Sequence, residues 1–150
     1  MSAITTQVVT NLYGFINFNI ILQNFTTSSG NAFIRFSTDG GSTYNTTNYS
    51  AGSNRVNSSS TVWTNTSSTS GLQLIASASA NAIDGNYILY NMNSTSGFIF
   101  LTGTVTVYQA TFSTQLINGR VTVASQNANA FEILVLSGTM TGTILIYGLS

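Results

Sequence analysis

The sequence contains no cysteine, no proline, no histidine and no lysine, and charged residues make up only 4% of it. Each absence closes a class of chemistry. Without cysteine there are no disulfides, no thiolate ligands and no cysteine nucleophile. Without histidine a Ser-His-Asp triad cannot be assembled within the chain. General acid–base work is then left to three carboxylates and the tyrosines. The charged side chains are Arg35, Arg55, Arg120, Asp39, Asp84 and Glu132. Three scattered arginines form no basic stripe, so nucleic acid is a disfavoured partner. The N-terminal MSAITTQVVT has no basic region and no long apolar run, so no secretory signal is expected. No apolar stretch approaches the ~20 residues of a membrane-spanning helix, so no membrane partner is expected either.

Polarity comes instead from Ser, Thr, Asn and Gln. Soluble domains usually carry roughly 25% charged residues, so this surface is unusually neutral. The net charge is zero, which favours self-association. Small hydroxyl and amide side chains lose little entropy when packed. The composition therefore suits surfaces shared with copies or neighbours. The length of 150 residues fits one domain. We expect residues 1–12 as an N-terminal arm, or as a first strand around Val8 and Val9, and 13–150 as a single β-sandwich. The arm is the segment expected to order on a neighbour.

Asn31 to Tyr44 (NAFIRFSTDGGSTY) is the most informative stretch. Ala32, Ile34 and Phe36 alternate with Phe33, Arg35 and Ser37, the period of a strand with one buried face. Asp39-Gly40-Gly41 then predicts a tight reversal, with Ser42 to Tyr44 starting the returning strand. Phe15 to Phe25 predicts a strand with Ile16, Phe18, Ile20 and Leu22 on one face, and with Phe25 on the other. Residues 45–70 are nearly all Ser, Thr, Asn and Gly. They predict a long loop with one short strand near Thr61 to Thr64. Further strands are expected over Gly71–Ser77 (Leu72, Leu74 and Ala76 inward), Tyr87–Met92, Phe98–Gln109 with a bend at Gly103, Ala130–Leu136 and Thr143–Leu149. Asp84-Gly85-Asn86 reads as a turn. Asn118-Gly119, between Thr111–Leu116 and Arg120–Ser125, is the strongest hairpin signal. No helical periodicity is sustained. About nine or ten strands with regular turns predict an all-β, antiparallel, jelly-roll-like sandwich.

The candidate sites are few. Asp39 and Asp84 read first as turn formers, and Glu132 as the partner of an arginine or as a solvent-facing group. A glycosidase-like pair would need two of them at close range. Asp39 alone is a poor calcium ligand set, and no metal or cofactor is expected. Tyr44, Tyr49 and Trp63 flank or lie in the polar 45–70 region. They would suit a glycan platform, or a partner contact, if exposed. The competing expectation, which we favour, is that Trp63 anchors the region to the core.

Arg35-Phe36-Ser37-Thr38-Asp39-Gly40-Gly41-Ser42-Thr43-Tyr44 is similar to an RxSTDGGST(F/Y) element of small virion proteins of tailed bacteriophages. The stretch Leu136 to Leu149 resembles their closing "SGT" turn and terminal strand, and the order fits from about residue 13 onward. Where the family pattern carries a basic residue, this chain has Leu145. The resemblance implies a jelly-roll-like sandwich, a homo-oligomer with a trimer favoured, and no enzymatic activity. It further implies a place in the virion, as a head decoration or as a tail or fibre component. A decoration or cement protein on the outer capsid surface, bridging major capsid protein subunits, is the leading expectation. A tail or fibre component that binds a host glycan is the alternative.

Overall fold

A computed structural model of the chain describes residues 3–57, 60–67, 70–75, 82–108, 113–123 and 127–149. Among these there is no helix. Eleven strands are present: β1 (Thr6–Val9), β2 (Asn17–Thr27), β3 (Ala32–Ser37), β4 (Tyr49–Asn57), β5 (Thr61–Ser67), β6 (Leu72–Gln73), β7 (Ile83–Tyr90), β8 (Phe100–Val107), β9 (Ser113–Val121), β10 (Ala130–Val135) and β11 (Met140–Leu149). They form a four-stranded sheet, β1-β10-β3-β6, and a seven-stranded sheet, β11-β2-β7-β8-β9-β4-β5. All pairings are antiparallel.

The pairings are nested. β4 pairs with β5, β3 with β6, β2 with β7 and β1 with β10. Each pair encloses the one before it, so the chain is one long hairpin rolled into two sheets. That is the jelly-roll arrangement, here with a meander, β7-β8-β9, where a single strand would suffice. Apolar side chains from both inner faces fill one core, including Ile20, Leu22, Phe25, Ile34, Phe36, Ile83, Tyr87, Val105, Phe131 and Ile133. The N-terminal segment is part of this sandwich: Thr6–Val9 is the edge strand on β10, and Leu12 is buried. Thr6–Val9 of the segment expected to order on a neighbour thus pair with the chain's own sheet.

Four sequence expectations are corrected by tertiary packing. First, residues 45–70 are no long loop. Strands β4 and β5 pair in register from Ser50↔Ser67 to Val56↔Thr61, because β-branched and aromatic residues such as Thr61, Val62 and Trp63 suit a pleated strand. Second, Asn118-Gly119 is no turn. Strand β9 runs straight through it, with Gly119 opposite both Leu101 and Ala51. A Cβ there would lie 3.0 Å from Leu72 Cδ2 of the facing sheet, so the glycine permits close sheet approach. Third, Asp84-Gly85-Asn86 lies inside β7, and β8 continues through Gly103 without a register shift. Both glycines make room for the fully buried Tyr87 ring. A Cβ would come within 2.6 Å of the ring at Gly85 and 2.5 Å at Gly103. Fourth, Asp39-Gly40-Gly41 closes no hairpin. Strands β3 and β4 belong to different sheets, so the glycine corner turns the chain across the sandwich.

Strand β2 carries one extra residue relative to both neighbours, around Asn24. This bulge resets the alternation, so Phe25 joins Leu22 on the core face instead of the opposite one. Of the expected strand over Gly71–Ser77, β6 keeps Leu72 and Gln73. Leu74 is buried, and Ala76 lies outside the described residues, as do residues 111, 112, 124 and 125 of the expected hairpin.

Candidate functional site

The Asp39 corner is a closed hydrogen-bond hub. The Asp39 carboxylate accepts from Ser37 Oγ at 2.6 Å, Thr43 N–H at 2.9 Å and Thr43 Oγ1 at 2.7 Å. Ser37 Oγ in turn accepts the Gly41 N–H at 2.9 Å. Asn129, from the segment before β10, accepts the Gly40 N–H at 2.8 Å and donates to Thr38 O at 3.2 Å. The Ser37 hydroxyl and then the Thr43 donors hold the Asp39 carboxyl well below its ordinary range. A carboxylate so stabilised is a poor proton carrier and has little capacity left for a cation. The corner is structural.

Glu132 pairs with Arg35 across β10 and β3, at 3.6 Å, on the side of the small sheet away from the core. Burial raises its pKa, and Arg35 opposes that shift. Arg35 Nε also donates to Ser70 O. Asp84 sits in the other sheet, where its carboxylate accepts the Asn24 N–H at 2.8 Å and the Tyr108 hydroxyl at 2.9 Å. It therefore satisfies the backbone donor that the β2 bulge leaves unpaired, and forms no turn. Among the described residues no three His, Cys, Asp or Glu side chains gather as a metal site.

The three aromatic candidates do not form one platform. Tyr49 is buried, with its hydroxyl donating to Asn45 O at 2.9 Å and accepting the Phe36 N–H at 3.2 Å. Burial pushes that phenol up to about 12. Tyr44 is half-buried, its hydroxyl packed near Gly41. Trp63 is 76% exposed on β5 and anchors nothing in the core, which overturns the favoured expectation. The tyrosines are sequestered because the corner turns them inward; the tryptophan is free because β5 lies beyond the reach of the small sheet.

Two other surface features stand out. The first is a wing. Strand β5 pairs only with β4, and none of its described side chains joins the core. On the β4–β5 hairpin Val56, Val62 and Trp63 are exposed at 49%, 41% and 76%. The second is a groove of about 560 Å³ on the outer face of the large sheet, across β11, β2, β7 and β8. Its walls include Gln23, Asp84, Asn86, Thr104, Thr106 and Thr143. Register explains the convergence: Asp84 faces Thr106 and Asn86 faces Thr104 across β7 and β8, while Gln23 faces Thr143 across β2 and β11. The β2 bulge falls in the same stretch, with Gln23 and Asn24 in the lining. Single polar residues on separate strands leave no local motif, so only the strand order reveals this cluster.

No protein-family model, no curated protein and no solved structure matches the chain.

Proposed function

We propose that the chain is a structural protein of a tailed-bacteriophage virion, a capsid decoration or cement protein. It assembles as a homo-oligomer, a trimer by preference, and bridges major capsid protein subunits. The observation that carries the reading is the wing. A hairpin that leaves three large apolar side chains in solvent, with Arg55 as its one charge, is costly for an isolated chain and useful to one that docks. The free edges reinforce it. From Thr143 to Leu149, β11 presents an uncharged outer edge without proline, the kind of edge that solitary proteins usually blunt. Copy number per particle tests the reading. Hundreds of copies per virion, with particles lacking the protein rupturing at lower temperature, are expected. A handful of copies at the tail, with heads equally robust without it, would overturn it.

The exposure of Trp63 favours a second reading, a tail or fibre component that uses the indole against a host glycan. Under that reading Trp63→Ala abolishes glycan binding without unfolding the chain.

A further inference from the structure

We propose that the groove over β11, β2, β7 and β8 is a binding site for a neutral saccharide. The inference goes beyond the assembly reading and does not depend on it, because the groove and the wing lie on different strands, with β9 between them. Chemistry narrows the ligand by elimination. Among the described residues Asp84 is the only charged group in the lining, and none of them offers a cation to hold a phosphate or a carboxylate. One carboxylate, already engaged by the Asn24 N–H and the Tyr108 hydroxyl, is too little for a metal ion. An apolar ligand would strand amides and hydroxyls without partners. A neutral molecule rich in hydroxyls meets none of these objections.

The positive case rests on unspent hydrogen-bonding capacity. Some small polar side chains elsewhere on the surface bond to one another: Thr26 with Thr141, Ser29 with Ser137, Thr102 with Asn118. In the groove, Gln23, Asn86, Thr104, Thr106 and Thr143 make no side-chain hydrogen bond among the described residues. They offer both donors and acceptors, which is what a sugar hydroxyl requires. Strand geometry spaces them about 5 Å apart across strands and about 7 Å along them, a grid fixed by the sheet and not by flexible loops. Asp84 supplies a carboxylate with acceptor sites to spare, since a carboxylate offers about four. Tyr108, 49% exposed, is tethered to that carboxylate by its hydroxyl and is the aromatic residue bonded to the lining.

The test is an amide-resolved NMR titration of the full chain with maltotriose, chitotriose and lactose, with inorganic phosphate as the anionic control. Saturable shifts confined to residues 21–24, 84–86 and 104–106 are expected from at least one saccharide. Asn86→Ala and Thr104→Val, both at exposed positions, are expected to weaken that binding at least tenfold with the melting temperature unchanged. Trp63→Ala is expected to leave it intact. Four results would overturn the proposal: no saturable shift with any of the three sugars, shifts centred on the Trp63 wing, a stronger response to phosphate, or groove shifts that follow protein concentration in place of sugar. None of these would alter the copy number that tests the assembly reading.

Discussion

At the scale of single residues, the fold depends on polar groups placed where the backbone cannot satisfy itself. Asp39 is the clearest case. Its folded pKa is held below the unfolded value of about 3.9 by Ser37 and Thr43. A depressed carboxyl contributes stability that is present above the unfolded pKa and lost as pH falls through the folded one. Asp39→Asn should therefore lower the melting temperature at neutral pH, and the gap to the parent should shrink steadily below about pH 4. A gap independent of pH would mean that the carboxylate charge contributes nothing to the hub. Tyr87 is the buried counterpart. It is fully enclosed, and its hydroxyl donates to Leu74 O at 2.6 Å, tying the two sheets together. Tyr87→Phe should cost about 1–2 kcal/mol in urea denaturation, since it strands a buried carbonyl. Gly103→Ala should cost more, about 2–3 kcal/mol. The new methyl would meet Tyr87 Cδ1 at 2.5 Å and Asn86 O at 2.6 Å, and the second obstacle is backbone that cannot swing away.

At the scale of elements, the alternation in β3 was legible because one face of that strand, Ala32, Ile34 and Phe36, packs into the continuous core. The glycine punctuation was legible only in part. Gly40 and Gly41 do have positive φ, 75° and 94°, as a corner requires. Gly85 and Gly119 have no such conformation. They are small because Tyr87 and Leu72 press on them from the core. A local sequence cannot separate a glycine that turns from a glycine that yields space: for Gly119 the neighbour that demands the space, Leu72, is distant in the chain, and for Gly85 the ring two residues on demands it only once Tyr87 is buried in the core. The candidate site was illegible for the same reason: Gln23, Asp84, Asn86, Thr104 and Thr106 come together only through strand order. The β2 bulge gives this a test. Asn24 has φ 47°, and Gly142 opposite it has φ 121°, where a Cβ would lie only 2.7 Å from Asn24 O. Asn24→Gly should be tolerated within about 0.5 kcal/mol, because glycine adopts that conformation freely. Gly142→Ala should cost about 2 kcal/mol or more, by strain and by contact with backbone. Equal effects at the two positions would show that the bulge is soft.

At the scale of the whole molecule, the two sheets are unequal, and the inequality leaves the surface that the proposed assembly would use. Four strands cannot cover seven. The small sheet reaches β9 and β4 through the two-residue β6, and β5 is left outside. With six charged residues in the chain, little electrostatic repulsion keeps such wings apart. Wing contact should therefore drive concentration-dependent self-association in sedimentation velocity. Val62→Glu combined with Trp63→Ser puts a charge on the wing and removes its largest apolar group. Both positions are exposed and outside the core, so folding stability should move by no more than about 0.5 kcal/mol per site. The oligomer should dissociate to a monomer, and the effect should persist at high salt, since the lost contact is apolar in the parent. Dissociation with an unchanged melting temperature separates docking from folding. An oligomer that survives the double substitution would move the self-contact away from the wing, with the uncharged β11 edge as the next surface to block.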